Sequence, residues 1–267
     1  MDPNNHKTIE RMVKAFEDIA QIIHEKNPDC IIAPMLGAVP FIDILNIVDD
    51  DFPNAKVEYV PASSKLHKLR DILRASFTNL IDAYAPNGGS FLSLDEVVSG
   101  NSLVRVYKQF EAARINYANR KTAQTYGDCV DFRDSAVQAY RQEIIEKIKY
   151  ETIGIVDPKL EKRNKPQNRE YLALVEQKIV LPVQTDGIVT MDRTDFFPAK
   201  YKTRASGQGD LYLPQIASFE ANQEYITFLR TVAGIVGKDP ALVTAQNIGK
   251  ILDAHKLVPL ELGGGKE

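Results

Sequence analysis

Cysteine is scarce in this chain: Cys30 and Cys129 are the only two in 267 residues. Neither has the histidine or cysteine neighbours that a zinc site requires, and so low a count fits a reducing cytoplasm. Charge of one sign is also lacking. The chain has 33 lysines and arginines against 36 aspartates and glutamates, for a net charge of −3 and a pI near 5.9. That balance gives no bulk electrostatic case for nucleic acid or an anionic membrane as partner. No apolar run approaches membrane length, and residues 1–7 are polar and charged with no basic-then-apolar signal pattern, so the expectation is a chain that is not exported. The four histidines, His6, His24, His67 and His255, are scattered, with no pair at metal-binding spacing. A Gly-x-Ser-x-Gly nucleophile elbow is absent too, so no hydrolase triad is visible. What is present is core-forming material: 44% of residues are hydrophobic, enough for one large domain or a core with a smaller appended region.

The apolar pattern alternates between helix and strand. Helical spacing runs over residues 9–23, followed by a strand near Ile31, a helix over 41–48, a strand over 56–60, a helix over 66–83 and a strand over 91–94. Such alternation implies parallel strands joined by crossovers. Two long charged helical stretches follow, 103–119 and 134–150, then a strand over 152–156 and a polar loop over 157–169. Residues 178–183 and 187–191 read as paired strands of a small hairpin, and 215–236 and 241–257 as two further helices.

The stretch from Gly88 to Leu103, GGSFLSLDEVVSGNSL, is the richest in chemistry. It reads as a strand, a pair of acids, a turn of phosphate size and a helix start. Amides of Val98, Ser99, Gly100, Asn101 and Ser102 would converge in that turn, where a helix amino terminus favours an anion. Asp95 and Glu96, acceptors only when ionised, suit the hydroxyls of a sugar or a magnesium ion held against it. The plainer alternative is a surface turn capped by Ser99.

These residues resemble the type I phosphoribosyltransferases, whose signature is apolar residues, two acids, two apolar residues and a Thr/Ser-Gly phosphate turn. Two more segments fall in the order that family requires. Residues 31–41, IIAPMLGAVPF, resemble its pyrophosphate loop, here Leu36, Gly37 and Ala38. Residues 57–65, VEYVPASSK, resemble the strand before its mobile loop, most closely in the hypoxanthine-guanine branch; Ser63, Ser64, Lys68 and Arg70 would lie in that loop. The resemblance covers roughly residues 25 to 105 and extends more weakly to about 200. It implies a parallel-sheet α/β core over residues 1–175 with a helical insertion, and an accessory hairpin and helical region over 176–267 acting as a hood, where Phe196, Phe197, Tyr201 and Tyr212 could stack on a base.

The resemblance further implies binding of phosphoribosyl pyrophosphate or a nucleotide with Mg2+. Transfer of the phosphoribosyl group to a nitrogenous base would release pyrophosphate, with Asp95, Glu96 and Lys65 catalytic and the two acids at the metal. Two registers stay open. With Ser99-Gly100 as the family's Thr-Gly, the acids fall at Leu94 and Asp95, leaving Glu96 in an apolar slot. Otherwise Asp95 and Glu96 are the pair and the turn is one residue short, which is the better reading because loops absorb deletions more readily than interiors absorb charge. Either departure leaves room for an alternative: a catalytically degenerate nucleotide sensor or effector subunit in a bacterial regulatory or defence system. Expected partners are that ligand, a small-molecule base, and a second copy of the chain or another protein.

Overall fold

The computed structural model describes residues 3–34, 37–60, 62, 70–127, 129–158, 168–185, 201–205, 212–216, 223–245 and 248. The chain is α/β, with seven α-helices among the described residues. Five strands form one sheet: β1 (Cys30–Pro34), β2 (Val57–Val60), β3 (Gly89–Val97), β4 (Ile148–Val156) and β5 (Val180–Gln184). Their order is β2-β1-β3-β4-β5, and every pairing is parallel, as the alternation of elements predicts. The helices are α1 (Pro3–Lys26), α2 (Val39–Val48), α3 (Arg70–Tyr84), α4 (Asn101–Tyr126), α5 (Ser135–Lys147), α6 (Arg169–Glu176) and α7 (Gln223–Ile235). No helix among the described residues is long and apolar enough to cross a membrane.

The chain divides into two compact units, and the division falls within α1. One unit comprises residues 21–38 and 53–184 and holds the whole parallel sheet with α3 to α6. Strands buried on both faces should be apolar at successive positions, and β1 is buried at all five of its residues. One face of the sheet packs on α3 and α4. Cys30, Ile32, Val60, Phe91, Ile148 and Tyr150 meet Phe77, Val106 and Phe110 there. Phe110 is the hub, with its ring 4.5 Å from Tyr150, 5.1 Å from Phe91 and 5.5 Å from Phe77. A second cluster joins Val97, Val156 and Val180 to Leu103, Tyr171 and Leu174.

The other unit comprises residues 1–20, 39–52 and 185–267. Its core sets the Phe16 ring 5.7 Å from Phe41 and buries the Tyr225 hydroxyl as donor to Asp43. It also contains an antiparallel pair, β6 (Tyr201–Ala205) and β7 (Tyr212–Ile216).

Several elements differ from expectation. Residues 134–150 are not one helix: α5 stops at Lys147, and Ile148, Lys149 and Tyr150 alternate buried, exposed, buried as the opening of β4. A charged stretch with apolar residues two apart suits either period, and pairing of Ile148 with Gly89 decides for strand. Residues 180–184 are not half of a hairpin; β5 lies parallel to β4, which places a core strand beyond residue 175. The partner expected at 187–191 lies outside the described residues. Residues 215 and 216 belong to β7, and α7 begins at Gln223. In place of the start of a helix at 241, a single 3-10 turn spans Pro240–Leu242, capped by Asp239 onto the Ala241 amide at 2.9 Å; Val243 and Thr244 are non-helical.

Candidate functional site

A parallel sheet leaves a crevice outside its carboxyl edge wherever the connections on either side of two neighbouring strands lead in opposite directions. In the order 2-1-3-4-5 that point lies between β1 and β3. Ile31 pairs with Leu92 and Ile32 with Ser93, so two residues further on the end of β1 comes level with Asp95. The chain then turns, with the Ala38 amide donating to the Pro34 carbonyl at 3.0 Å. Gly37 is exposed in this turn, and a Cβ added to it would stand 4.0 Å from Asp95 Oδ1. Two segments singled out separately in the sequence, the small-residue turn and the acidic strand end, thus meet at the switch point.

Asp95 is not beyond the strand, however. β3 continues through Val97, with Asp95 opposite Gly154, Glu96 opposite Ile155 and Val97 opposite Val156. Three further ladder positions on β4 outweigh the local preference of acids for a strand's end. Successive side chains in a strand point to opposite faces, so Asp95 lies with Phe91 and Val97 toward α4, and Glu96 lies on the other face with Leu92 and Leu94. The register in which both acids face one ligand is therefore corrected: they do not converge. Glu96 is half-buried, whereas Asp95 is 7% exposed.

Burial pushes the Asp95 carboxyl up to about 6, against the Ser102 side chain, the Glu96 amide and the Arg105 charge, each of which lowers it. Oδ1 accepts from the Glu96 amide at 3.0 Å, while Oδ2 has no partner among the described residues. Arg105, on the first turns of α4, escaped the sequence reading. Its guanidinium donates to the Ala62 carbonyl at 2.9 Å and to Ser102 Oγ at 3.4 Å, tying the segment after β2 to the helix start beside Asp95. Its spacing of three residues from Ser102 was the available signal. Asp157 was also missed; read as the first residue of a solvated loop, it is fully buried at the carboxyl end of β4.

The turn of Val98, Ser99 and Gly100 links β3 to α4, as the sequence implies, and no side chain caps the helix. Its packing was not legible. Gly100 has φ +77°, and a Cβ there would stand 2.5 Å from Tyr171 Cβ and 2.8 Å from Cδ2. Asn168 fastens the same turn, its amide donating to the Ser99 carbonyl at 2.9 Å and its side chain to Asn101 Oδ1 at 2.6 Å. It also caps α6 by accepting from the Glu170 amide at 2.8 Å. Asn168→Ala removes the cap and the bond to Asn101, and is expected to cost about 1 to 2 kcal/mol in urea unfolding. A loss within a few tenths of a kcal/mol would mean that α6 does not hold the turn.

Of the other candidates, Ala38 is fully buried and Arg70 opens α3 in an exposed position. Leu36, Ser63, Ser64, Lys65, Lys68, Phe196 and Phe197 lie outside the described residues. Tyr201 and Tyr212 fall on β6 and β7. No group of three or more metal-ligating side chains occurs among the described residues. Compared with known proteins, the chain matches no family model, no curated protein and no solved structure.

Proposed function

We propose that the carboxyl edge of the sheet at β1 and β3 binds a phosphorylated sugar, with phosphoribosyl pyrophosphate or a nucleoside monophosphate the best fit, in the manner of a type I phosphoribosyltransferase-like protein. The observation that carries this reading is the approach of Gly37 to Asp95 at the switch point. A residue without a side chain lets a diphosphate come close to backbone, and the carboxylate beside it accepts from a ribose hydroxyl. The uncapped start of α4 offers amides to the 5′-phosphate, and Arg105 adds a cation beside them.

Magnesium fits this site in one way only. Asp95 and Glu96 on opposite faces do not form a two-carboxylate cage, but Mg2+ is commonly held by one carboxylate and the oxygens of a bound phosphate, and Asp95 supplies the one. The ion would neutralise charge on the diphosphate. Asp95 orients the sugar, and the α4 amides hold its phosphate.

The same divergence of the two acids favours a binding module over a transferase. Holding both ribose hydroxyls and a metal from one side is a task for two carboxylates, and of Asp95 and Glu96 only Asp95 is on this side. The second reading is therefore a sensor or effector subunit that binds the ligand without turning it over. Phosphoribosyl pyrophosphate with Mg2+ at millimolar concentration is expected to raise the melting temperature, since only the folded state has the site. No shift with it or with any nucleoside monophosphate contradicts the reading. A shift accompanied by pyrophosphate release with a common base decides for transfer, and a shift without release for sensing.

A further inference from the structure

Beneath α4, the sheet carries polar groups where an α/β interior is usually apolar. Phe91 stands opposite Tyr150, Ser93 opposite Thr152 and Asp95 opposite Gly154. Residues two apart share a face, so Ser93 and Asp95 lie on the Phe91 side of β3, and Tyr150 and Thr152 continue that side on β4. Ser93 and Thr152 are each 1% exposed, and Tyr150 and Asp95 each 7%. Ser93 Oγ, Thr152 Oγ1, the Tyr150 hydroxyl and Asp95 Oδ2 are all buried with no hydrogen-bond partner among the described residues. Burial pushes the Tyr150 hydroxyl up to about 12 even though the Thr152 and Ser93 hydroxyls approach it as hydrogen-bonding neighbours and pull it down; neither meets it at full hydrogen-bond geometry, and Asp95 is close enough to raise it further. The aromatic rings of Phe91 and Phe110, 5.1 Å apart, wall one end of the patch.

Buried polar groups almost always find a partner, and four unanswered oxygens in one patch call for one that is not a side chain. We propose that these four oxygens ring an internal water site between α4 and the β3–β4 face, in which bound water answers the three hydroxyls and the inner oxygen of Asp95. The chemistry selects neutral water. Three hydroxyls can each donate or accept, one carboxyl accepts, and a buried water needs two to four such partners. Asp95 is then solvated from within through Oδ2, while Oδ1 stays on the side of Gly37.

The inference does not depend on the ligand reading, and its test uses no ligand. Urea unfolding is compared for the wild type, Thr152→Val, Tyr150→Phe and the double variant. If water joins the hydroxyls, each single substitution lowers the unfolding midpoint, and the double variant falls by less than the sum, because the second change acts on a site already broken. Unchanged or raised midpoints are what removal of unanswered polar groups produces, and they overturn the proposal, as do strictly additive losses. A high-resolution crystal structure of the unaltered protein covers the case in which a variant does not fold. Ordered water within hydrogen-bond distance of at least three of the four oxygens is expected, and a patch without it overturns the proposal. Failure here leaves ligand binding at the sheet edge untouched, and failure to bind ligand leaves the water site untouched.

Discussion

Gly100→Val unfolds the protein, or leaves it destabilised by about 2 to 6 kcal/mol, before any effect on a ligand can be measured. Two costs combine. The backbone at φ +77° is one that a β-branched residue adopts only under strain, at roughly 1 to 3 kcal/mol. The new side chain also enters the volume of the Tyr171 ring, which is 3% exposed and packed with Leu103 and Val104, and overpacking of this kind adds about 1 to 3 kcal/mol. From the sequence, Gly100 is where a phosphate approaches; in the fold, that side of the glycine belongs to Tyr171. The two origins separate in a double-mutant cycle. In a Tyr171→Gly background, which also removes the Cβ at 171, the steric part of a Gly100→Ala substitution disappears and the backbone part, about 1 to 2 kcal/mol, remains. Urea unfolding of the four proteins checks this, and a Gly100→Val variant with wild-type stability would rule out the packing described for the turn.

Asp95→Asn is expected to stabilise the ligand-free protein at pH 7.5, by up to about 3 kcal/mol. The sign follows from burial. The carboxyl stands at 3.8 in the unfolded chain and about 6 in the fold, so the native state holds the proton more tightly. The contribution is fully present below pH 3.8 and is lost as pH rises through about 6, where the buried group ionises. Wild-type stability should therefore carry a downward slope with pH over that interval, and the asparagine variant should lack it. A matching slope in both proteins would mean that Asp95 titrates as an ordinary surface acid. A stabilising loss of charge at a sheet edge is characteristic of a group kept for binding rather than for folding.

Much of the frame was legible because it rests on local periodicity. The apolar runs at Ile31, Phe91 and Ile153, separated by helical spacing, lead directly to parallel strands, and Gly37 after β1 does come near Asp95 of β3. Long-range pairing was not legible. Whether β3 stops at Leu94 or reaches Val97 depends on β4, more than fifty residues later in sequence, and that extension is what turns Glu96 away from Asp95. Tyr171 and Asn168, which occupy one side of the phosphate-like turn, sit in a short helix about seventy residues further along and carry no motif. Arg105 looked like one charged residue among many on a long helix, and only its contacts with Ala62 and Ser102 set it apart. The orientation of β5 had no local signal either, since its alternation fits a hairpin as well as a parallel edge strand.

The account stands on Asp95 as the ligand-facing acid at the β1 and β3 switch point. Calorimetric titration of phosphoribosyl pyrophosphate with Mg2+ into the wild type and into Asp95→Asn at pH 7.5 tests it most directly. The wild type is expected to bind, and the folded, more stable variant to bind about tenfold more weakly or worse, as befits loss of one charge-assisted contact. Equal affinities in the two proteins would contradict it.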